Sequence, residues 1–334
     1  MDAEGKFRFG VMGAGNIAAK FVDAVRRVPG CEVAAVASRD AARAQAFAQQ
    51  HGVCGAYAGY EAMLMAEKPD AVYIAARTNA HADLTRLCID HGVPVLCEKA
   101  MFTSSAEARE VLGRAREKGV FCMEAMWSRF LPAVQEMKRQ LDAGRIGAPL
   151  YAEFAIGWKA PRHPGNRYHD PARGGGAAYD LLVYAYELAD FFLGAPDERF
   201  TASVLRGETG VDETETVTLT WGGRDPACMA TLSASIAVDL EERAVICGTQ
   251  GRLTMPKPHM AEGFRLRGCD GSEEEWRDTV TVNGFVYEVA EVVRCVRAGL
   301  TESPVVPHAL TIRCAEVFDV INGMNADEKG DVPR

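Results

Sequence analysis

A glycine-rich turn near the start of the chain constrains the fold more than any other feature. Residues 13–18 read Gly-Ala-Gly-Asn-Ile-Ala, between the apolar run 7–12 and the helix-like stretch 16–28. The first glycine of such a turn permits the tight bend, the second lets the backbone approach a pyrophosphate, and a small third residue lets helix and strand pack closely. The helix N-terminus supplies N–H groups and a positive dipole for phosphates. The pattern therefore predicts a βαβ unit that binds a dinucleotide.

The first 123 residues alternate between apolar runs and amphipathic stretches. The predicted strands are 7–12, 32–37, 71–75, 94–97 and 120–123, and the predicted helices are 16–28, 41–50, 60–67, 80–91 and 105–118. This alternation favours a parallel sheet covered by helices. Right-handed crossovers bring the carboxyl ends of the strands to one edge, where open α/β sheets bind ligands. We therefore predict an α/β Rossmann domain over residues 1–123.

Beyond about residue 148, strand-like segments follow one another with few helices between them. The predicted strands are 150–158, 200–206, 214–221, 228–236, 243–247 and 252–255, the predicted helices are 176–192, 285–298 and 309–324, and residues 327–334 are predicted to fray. Consecutive strands with short links indicate antiparallel pairing. We therefore predict an α+β domain with an open, mainly antiparallel sheet over residues 124–334, whose C-terminal helix can pack back on the first domain.

Composition excludes several classes of function. The 46 acidic and 37 basic residues give a net charge of -9, which argues against a broad nucleic-acid surface. The sequence has no apolar run long enough for a membrane span and no secretory signal, so we expect a cytoplasmic protein. The ten cysteines show no metal-ligand spacing, and no metal site is expected. Several lie in apolar runs, among them Cys88, Cys97, Cys247 and Cys295, which is typical of reduced core cysteine.

The end of the second predicted strand indicates which dinucleotide binds. An NAD site usually places a carboxylate there for the ribose 2′-hydroxyl, whereas this chain has Ser38 and Arg39. A hydroxyl and a guanidinium can bind a 2′-phosphate that a carboxylate would repel. We expect Asp40 to cap the helix 41–50 instead. The sequence therefore predicts NADP(H), with NAD(H) as the alternative, and Arg43 either adds a contact or is a solvated charge.

Two groups of polar residues are candidates for proton transfer. Glu98 and Lys99 follow the fourth predicted strand, where the lysine could polarise or protonate an oxygen at the carbon that exchanges hydride, and the glutamate could hold the nicotinamide ribose or tune the lysine pKa. An exposed ion pair in a loop is the alternative. Asp180 and Tyr184 lie four residues apart, after the glycine run 174–176, and would share one helix face. A buried tyrosine near an acid at the helix start is the alternative there.

These motifs together resemble one known family. The glycine turn, the sequence Cys97-Glu98-Lys99, and the glycine run before Asp180 and Tyr184 resemble the glucose-fructose oxidoreductase, inositol dehydrogenase and rhizopine catabolism (Gfo/Idh/MocA) family. The stretches 123–130, 166–177 and 299–307 support the resemblance, which extends over nearly the whole chain. The similarity is greater to the subgroup of dimeric dihydrodiol dehydrogenases and NADP-dependent D-xylose dehydrogenases.

The resemblance implies an NADP-dependent oxidoreductase that transfers hydride at a carbinol carbon of a sugar, polyol or dihydrodiol. It implies Lys99 as the acid/base group, Asp180 and Tyr184 as substrate-site residues, and a homodimer formed through the open sheet face. The candidate cofactor residues are Gly13, Gly15, Asn16, Ile17, Ser38, Arg39, Arg43, Ala76, Thr78, His81 and Glu98. The candidate substrate residues are Trp127, Arg129, Trp158, Arg167 and Tyr168, because aromatic faces suit both sugar C–H surfaces and aromatic rings.

Three residues depart from the family pattern. Ala100 replaces the usual proline, often cis, after the lysine, Leu182 replaces a glycine, and Arg77 stands where relatives often carry proline. A cis bond before a residue other than proline costs about 2.5–4 kcal/mol, so the sequence favours a trans bond or a strained backbone at Ala100. The departures leave two alternatives open: reduction of a C=C or C=N bond or a multistep sugar oxidation, and a non-catalytic dinucleotide-binding regulator.

Overall fold

The computed structural model describes residues 5–163 and 165–323 and the backbone of residues 330–331. The chain divides into two compact units. The first unit contains Met1–Phe102, Ala106–Trp127 and Val282–Ile312, and the second contains Thr103–Ser105, Ser128–Thr281 and Arg313–Arg334. The division differs from the single boundary expected after residue 123, because a late segment of the chain returns to the first unit. Of the residues predicted to fray, 327–329 and 332–334 lie outside the described residues.

The first unit contains a six-stranded parallel sheet. Its strands are β1 (Phe7–Met12), β2 (Cys31–Ser38), β3 (Gly55–Ala58), β4 (Ala71–Ile74), β5 (Val95–Glu98) and β6 (Cys122–Ala125), in the order β3-β2-β1-β4-β5-β6. This is the order of dinucleotide-binding domains and confirms the Rossmann prediction. All residues of β4, β5 and β6 are buried, as in parallel sheets covered on both faces. The sequence analysis missed β3, which is only four residues long.

Helices join these strands and pack on the sheet. They are α1 (Asn16–Arg27), α2 (Ala41–His51), α3 (Tyr60–Glu67), α4 (His81–Asp90) and α5 (Ser105–Lys118). Phe21 of α1 stacks on Tyr73 of β4, with ring centroids 3.8 Å apart. The Asp40 carboxylate accepts hydrogen bonds from the N–H groups of Ala42 and Arg43, at 2.9 and 3.2 Å, which confirms the predicted cap of α2.

The second unit contains a nine-stranded mixed sheet with helices on one face. Its elements are α6 (Pro132–Asp142), β7 (Pro149–Gly157), α7 (Val183–Leu193), β8 (Phe200–Arg206), β9 (Asp212–Trp221), β10 (Cys228–Ser235), β11 (Arg243–Gly248), β12 (Gly251–Pro256), β13 (Gly263–Gly268), β14 (Glu273–Arg277) and, after two further helices of the chain, β15 (Gly330–Asp331). The strand order is β14-β13-β12-β11-β7-β10-β9-β8-β15. Only the described pair of β7 and β10 is parallel, so the prediction of a mainly antiparallel sheet is confirmed.

The two faces of this sheet differ in their cover. Phe154 of β7, Leu232 of β10 and Val217 of β9 share the face against which α7 packs, and they are fully buried. Side chains on the opposite face of the same strands are partly exposed. The sequence analysis missed α6, β13 and β14. The last two strands are short and rich in charged residues, which weakens the apolar alternation that identifies a strand.

Two further helices follow the sheet strands, α8 (Phe285–Arg297) and α9 (His308–Gly323). In the first unit, α8 packs against α1, and Asn283 just before α8 donates hydrogen bonds to the Lys20 carbonyl and the Asp23 carboxylate. The predicted end of the last helix, Met324, lies outside the described residues.

Among the described residues, no helix has the length and apolar character that crossing a membrane requires. Of the cysteines predicted for the core, Cys88, Cys97 and Cys295 are buried, whereas Cys247 is half-buried.

Candidate cofactor and active site

The glycine turn after β1 has the geometry of a phosphate-binding loop. Gly13 has a φ of 116°, and a Cβ at this position would lie 2.3 Å from the Ala75 carbonyl oxygen. Gly15 is the N-cap of α1, no side chain caps the helix, and a Cβ on Gly15 would point into space with no atom within 4 Å. Asn16 and Ile17 form the first turn of α1. The turn therefore fits a dinucleotide pyrophosphate, which needs a close backbone approach and uncapped N–H groups.

The carboxyl end of β2 has basic and hydroxyl side chains in place of an available carboxylate. The Ser38 hydroxyl accepts a hydrogen bond from the Asp40 N–H, at 3.2 Å. Arg39 is exposed, and Arg43 reaches back to the glycine turn, where its Nε donates to the Ala14 carbonyl at 3.2 Å. Arg43 is therefore more than a solvated charge, and Asp40 is engaged as the cap of α2.

A buried histidine lies beyond the carboxyl end of β4. Ala76 follows this strand and Thr78 opens a short 3₁₀ turn. The Nδ1 atom of His81 is 2.9 Å from the Ala100 carbonyl oxygen, and its Nε2 is 3.3 Å from the Ala76 carbonyl oxygen. Burial lowers the pKa of His81, so the ring is neutral and its one N–H can donate to only one of the two carbonyls. His81 thus contacts the backbone next to Lys99.

Lys99 and Glu98 lie at the carboxyl edge of the same sheet. The Tyr73 hydroxyl donates a hydrogen bond to Glu98 Oε1, and the Lys99 N–H lies 3.3 Å from Glu98 Oε2. Burial raises the pKa of Glu98, while the Tyr73 hydrogen bond and the Lys99 charge act in the opposite direction. Lys99 is half-buried, and its peptide bond to the buried Ala100 is cis. The alternative interpretation, an exposed ion pair of Glu98 and Lys99 in a loop, is therefore wrong, because Glu98 is buried and Lys99 is half-buried.

Glu288 is a buried acid close enough to Glu98 to feel its charge, and the sequence analysis did not identify it. It lies in the first turn of α8, is fully buried, and has no hydrogen-bond partner for either carboxyl oxygen among the described residues. Burial, and then the charge of Glu98, raise the pKa of Glu288 well above its usual value. Its signal in the sequence was a single acid on the apolar face that Phe285, Val289 and Val292 form. The raised pKa favours the neutral form of the Glu288 carboxyl group.

The segment that contains Asp180 and Tyr184 belongs to the second unit. Asp180 lies in a π-helical turn, Ala178–Leu182, and Tyr184 lies in α7. The prediction of one regular α-helix is therefore wrong, because the wider π turn interrupts the spacing that would align the two side chains. Asp180 Oδ1 accepts a hydrogen bond from Arg167 Nη2 at 3.2 Å. The Tyr184 ring lies 5.3 Å from the ring of His259, a neighbour that the sequence analysis did not identify.

Three of the predicted substrate residues lie together in the second unit. The rings of Trp158 and Tyr168 meet edge to face with centroids 4.9 Å apart. The Arg167 guanidinium lies 4.0 Å above the Tyr168 ring, a cation–π contact, and also bonds to Asp180. Two aromatic rings, of Trp158 and Tyr168, and one charged hydrogen-bond donor, Arg167, therefore form a single cluster.

The other two predicted substrate residues are placed differently. Trp127 belongs to the first unit and stacks on Phe285 with centroids 5.2 Å apart. Arg129 is 2% exposed and forms ion pairs with Glu187 and Asp190, at 3.3 and 3.1 Å. These buried ion pairs give Arg129 a structural role, and we remove it from the candidate substrate residues. The described residues contain no cluster of His, Cys, Asp or Glu that could hold a metal ion.

The three departures from the family pattern have different environments. Ala100 is fully buried and its carbonyl contacts His81. Leu182 is fully buried at the end of the π-helical turn, and Arg77 is exposed at the start of the 3₁₀ turn after β4. Leu182 therefore fills core space, whereas the side chain of Arg77 is accessible.

Comparison with known proteins identifies the family. Residues 7–126 match the family described as an oxidoreductase family with an NAD-binding Rossmann fold (GFO_IDH_MocA), and residues 134–254 match the GFO/IDH/MocA C-terminal domain. The chain is 35% identical to trans-1,2-dihydrobenzene-1,2-diol dehydrogenase of Mus musculus over 323 residues, which cover 93% of this chain and 95% of the mouse protein. The Homo sapiens protein of the same name is 32% identical over 325 residues, with 94% and 95% covered.

A solved structure supports the same assignment. It is that of KijD10, a 3-ketoreductase from Actinomadura kijaniata in complex with NADP and TDP-benzene, which matches with a TM-score of 0.83 and 25% identity over 95% of this chain and 97% of that chain. The family resemblance of the sequence motifs is thus confirmed. The chain belongs to the GFO/IDH/MocA family of NAD(P)-dependent oxidoreductases.

Proposed function

We propose that the chain is an NADP(H)-dependent oxidoreductase that transfers hydride between the nicotinamide and a carbinol carbon of a sugar, polyol or dihydrodiol. The names of the similar proteins, a dihydrodiol dehydrogenase and a 3-ketoreductase, support this class of substrate. The cluster of Trp158, Arg167 and Tyr168 also supports it, because aromatic faces and a guanidinium suit a ring that carries hydroxyl groups.

The preference for NADP(H) depends on one observation, the engagement of Asp40. A carboxylate at this point would bind the ribose 2′-hydroxyl of NAD and repel the 2′-phosphate of NADP. The Asp40 carboxylate instead accepts from two N–H groups of α2. Ser38, Arg39 and Arg43 remain as the side chains near the end of β2, and a guanidinium pairs well with a phosphate.

The proposed chemistry assigns one role to each group of residues. The cofactor, when bound, supplies or accepts the hydride. The glycine turn and the N-terminus of α1 bind its phosphates. Lys99 donates a proton to the substrate oxygen in the reducing direction and takes it up in the oxidising direction, while the neighbouring Glu98 holds the nicotinamide ribose. Asp180 and Tyr184 bind the substrate hydroxyl groups.

We further propose that the protein is a homodimer that forms through the uncovered face of the second unit's sheet. Tyr151, Leu205 and Met229 lie on that face and are 37%, 68% and 44% exposed. Exposed apolar side chains that share a flat surface are typical of protein–protein interfaces, and the C2 dimer is the commonest arrangement of identical chains.

The cofactor preference is tested by titrating the protein with NADPH and with NADH and following the fluorescence of the reduced nicotinamide. We expect tighter binding of NADPH. Arg39→Ala should weaken NADPH binding by roughly 10–100-fold, because hydrogen bonds to charged groups contribute about 1.5–3 kcal/mol, and should leave NADH binding unchanged. Arg27→Ala, at an exposed ion pair of α1, is the matched control. Equal affinity for both dinucleotides in the parent protein would refute the proposed preference.

The catalytic role is tested with Lys99→Ala in a screen of sugars, polyols and dihydrodiols. Loss of a general acid/base should lower kcat by about 10²–10⁴-fold, while NADPH should bind as in the parent. Lys118→Ala, which removes a surface ion pair with Asp90, is the control. Turnover of C=C or C=N substrates alone would favour the alternative reaction, and NADPH binding without any turnover would favour the regulator.

A further inference from the structure

The beginning of β9 carries three buried carboxyl groups that the proposed chemistry does not use. Asp212, Glu213 and Glu215 are 2%, 7% and 1% exposed. Burial of a carboxyl group is unfavourable unless hydrogen bonds or opposite charges compensate it. The carboxyl groups of Asp212 and Glu213 accept hydrogen bonds from the segment 158–184, which they join to the acidic β9 start, residues 212–215.

Asp212 holds the turn in which Asp180 lies. Its Oδ2 accepts a hydrogen bond from the N–H of Ala178, the first residue of the π-helical turn, at 2.6 Å. Gly176 has a φ of 124°, and a Cβ there would lie 2.3 Å from Asp212 Oδ1. The Asp212 carboxylate thus occupies the space that a side chain at Gly176 would need. It also provides a hydrogen-bond acceptor for an N–H group at the start of the helical segment, where a negative charge is favourable.

Glu215 adjoins Asp212, and the two carboxyl groups affect each other's pKa. Burial, and then the charge and proximity of Asp212, raise the pKa of Glu215 well above its usual value. Asp212 also has a pKa raised by burial, which the interaction with Glu215, the Ala178 N–H and the Arg206 charge partly oppose. Two adjoining carboxyl groups cannot both ionise readily. The larger rise falls on Glu215 and favours its neutral form, whereas Asp212 accepts the hydrogen bond of the Ala178 N–H.

Glu213 holds the loop that carries the aromatic cluster. Arg162 donates a hydrogen bond to Glu213 Oε2, and His169 Nδ1 lies 3.2 Å from Oε1. These two residues stand on either side of Arg167 and Tyr168. The loop is also fixed to the glycine run, since the Gly176 N–H donates to the Tyr168 carbonyl at 3.0 Å. The His169 side chain is 11% exposed, so this loop histidine is largely enclosed where it meets Glu213.

We propose that the acidic β9 start positions the substrate-binding segment, with Asp212 fixing the turn that carries Asp180 and Glu213 fixing the loop that carries Arg167 and Tyr168. Asp212 and Glu213 are positioning residues, because each acts through another part of the segment. The proposal rests on the proposed function only in taking these residues to bind substrate. It also explains why glycine stands at position 176, where the carboxylate occupies the place of a side chain.

The test compares Asp212→Ala, Asp212→Asn and Asp197→Ala in the full-length protein by hydrogen–deuterium exchange and by steady-state kinetics. Asp197 is a matched control, because it too accepts a backbone N–H, that of Gly222 at 2.6 Å, but at another part of the second unit. Asparagine can still accept from the Ala178 N–H and donate to Glu215 if that group ionises.

We expect Asp212→Ala to speed exchange of peptides from residues 159–184 by about tenfold or more, because a lost cap permits local opening. It should lower kcat/KM by about 10–100-fold through misplaced substrate residues and leave NADPH affinity unchanged. Asp212→Asn should restore most of both properties, and Asp197→Ala should affect neither.

Unchanged exchange in residues 159–184 of Asp212→Ala would overturn the proposal, as would equal changes in Asp197→Ala. Glu213→Gln should speed exchange of the loop 159–170 alone, and no change there would remove the second half of the proposal. If the parent protein turns over no diol or sugar, the proposed function fails, but the exchange data still decide whether the acidic β9 start fixes the segment.

Discussion

Gly13 and Gly15 stand two residues apart in one turn, and the structure gives them different reasons for lacking a side chain. At Gly13 a Cβ would collide with the Ala75 carbonyl at 2.3 Å, and the φ of 116° is unfavourable for other residues. At Gly15 a Cβ would meet no atom within 4 Å. The fold therefore requires glycine at position 13, whereas at position 15 the fold leaves space for a side chain, and the proposed pyrophosphate site gives the reason for glycine there.

Substitution of the two glycines should therefore have opposite consequences. Gly15→Val should leave the thermal unfolding temperature near that of the parent and abolish measurable NADPH binding, because the branched side chain fills the space the pyrophosphate needs. Gly13→Ala should lower the free energy of unfolding by at least about 1–3 kcal/mol, the cost of an unfavourable φ alone. Differential scanning fluorimetry with and without NADPH separates the two effects. A Gly15→Val protein that bound NADPH normally would show that the cofactor site is misplaced.

Glu288 makes stability depend on pH. Its folded-state pKa is raised well above the usual value, whereas in the unfolded chain it ionises near pH 4.3, roughly the value of a free glutamate. Between these two pKa values the folded state holds a proton that the unfolded state has released. The free energy of unfolding therefore falls by about 1.4 kcal/mol per pH unit in that window because of this one group.

Glu288→Gln removes this proton linkage and keeps the shape of the side chain. We expect the stability of the variant relative to the parent to rise between pH 5 and pH 8, by about 1 kcal/mol or more, in denaturant unfolding at each pH. Glu291→Gln on the same helix is the control. Burial raises the pKa of Glu291, but hydrogen bonds from Arg294, Ser303 and Cys295 lower it overall, so that variant should lose stability without this rise. If the free energy of unfolding of Glu288→Gln differed from that of the parent by the same amount at every pH, Glu288 would be shown to ionise in the folded protein.

At the scale of elements, local signals predicted the structure wherever they were strong. The cap at Asp40 and the glycine turn were correct, because the chemistry of each lies within a few residues. The π-helical turn could not be predicted, since it forms where Asp212, a residue distant in sequence, accepts from the Ala178 N–H. The role of Arg129 was missed for the same reason: its partners, Glu187 and Asp190, lie about 60 residues away along the chain, a separation of 58 and 61 residues.

At the scale of the whole molecule, the parallel Rossmann sheet followed from the sequence, but the division of the chain into two units did not. Alternating strands and helices predict a Rossmann sheet regardless of distant contacts. Residues 282–312 belong to the first unit because α8 packs on α1. The sequence shows that α8 has an apolar face, but it does not show which element that face contacts. Glu288 belongs to this returning segment, so the carboxyl group whose pKa is raised by burial and by the charge of Glu98 lay outside the predicted Rossmann domain.

We predict that the homodimer forms through the uncovered face of the sheet in the second unit. Met229 is 44% exposed beside Tyr151 on the uncovered face. In a two-fold interface the same patch meets its copy, so one substitution places two charges in the contact. Met229→Lys should therefore convert the dimer to a monomer in size-exclusion chromatography with light scattering, since burial of an unpaired charge costs several kcal/mol.

Met65→Lys provides the control, because Met65 is 64% exposed on α3 of the first unit, and the same change there should leave the dimer intact. A parent protein that is monomeric at micromolar concentration would contradict the proposed interface. A dimer that survives Met229→Lys would place the interface on another surface. Loss of the dimer with unchanged NADPH affinity would show that the sheet face, and not the Rossmann unit, joins the two copies, because the proposed phosphate-binding turn lies in the first unit.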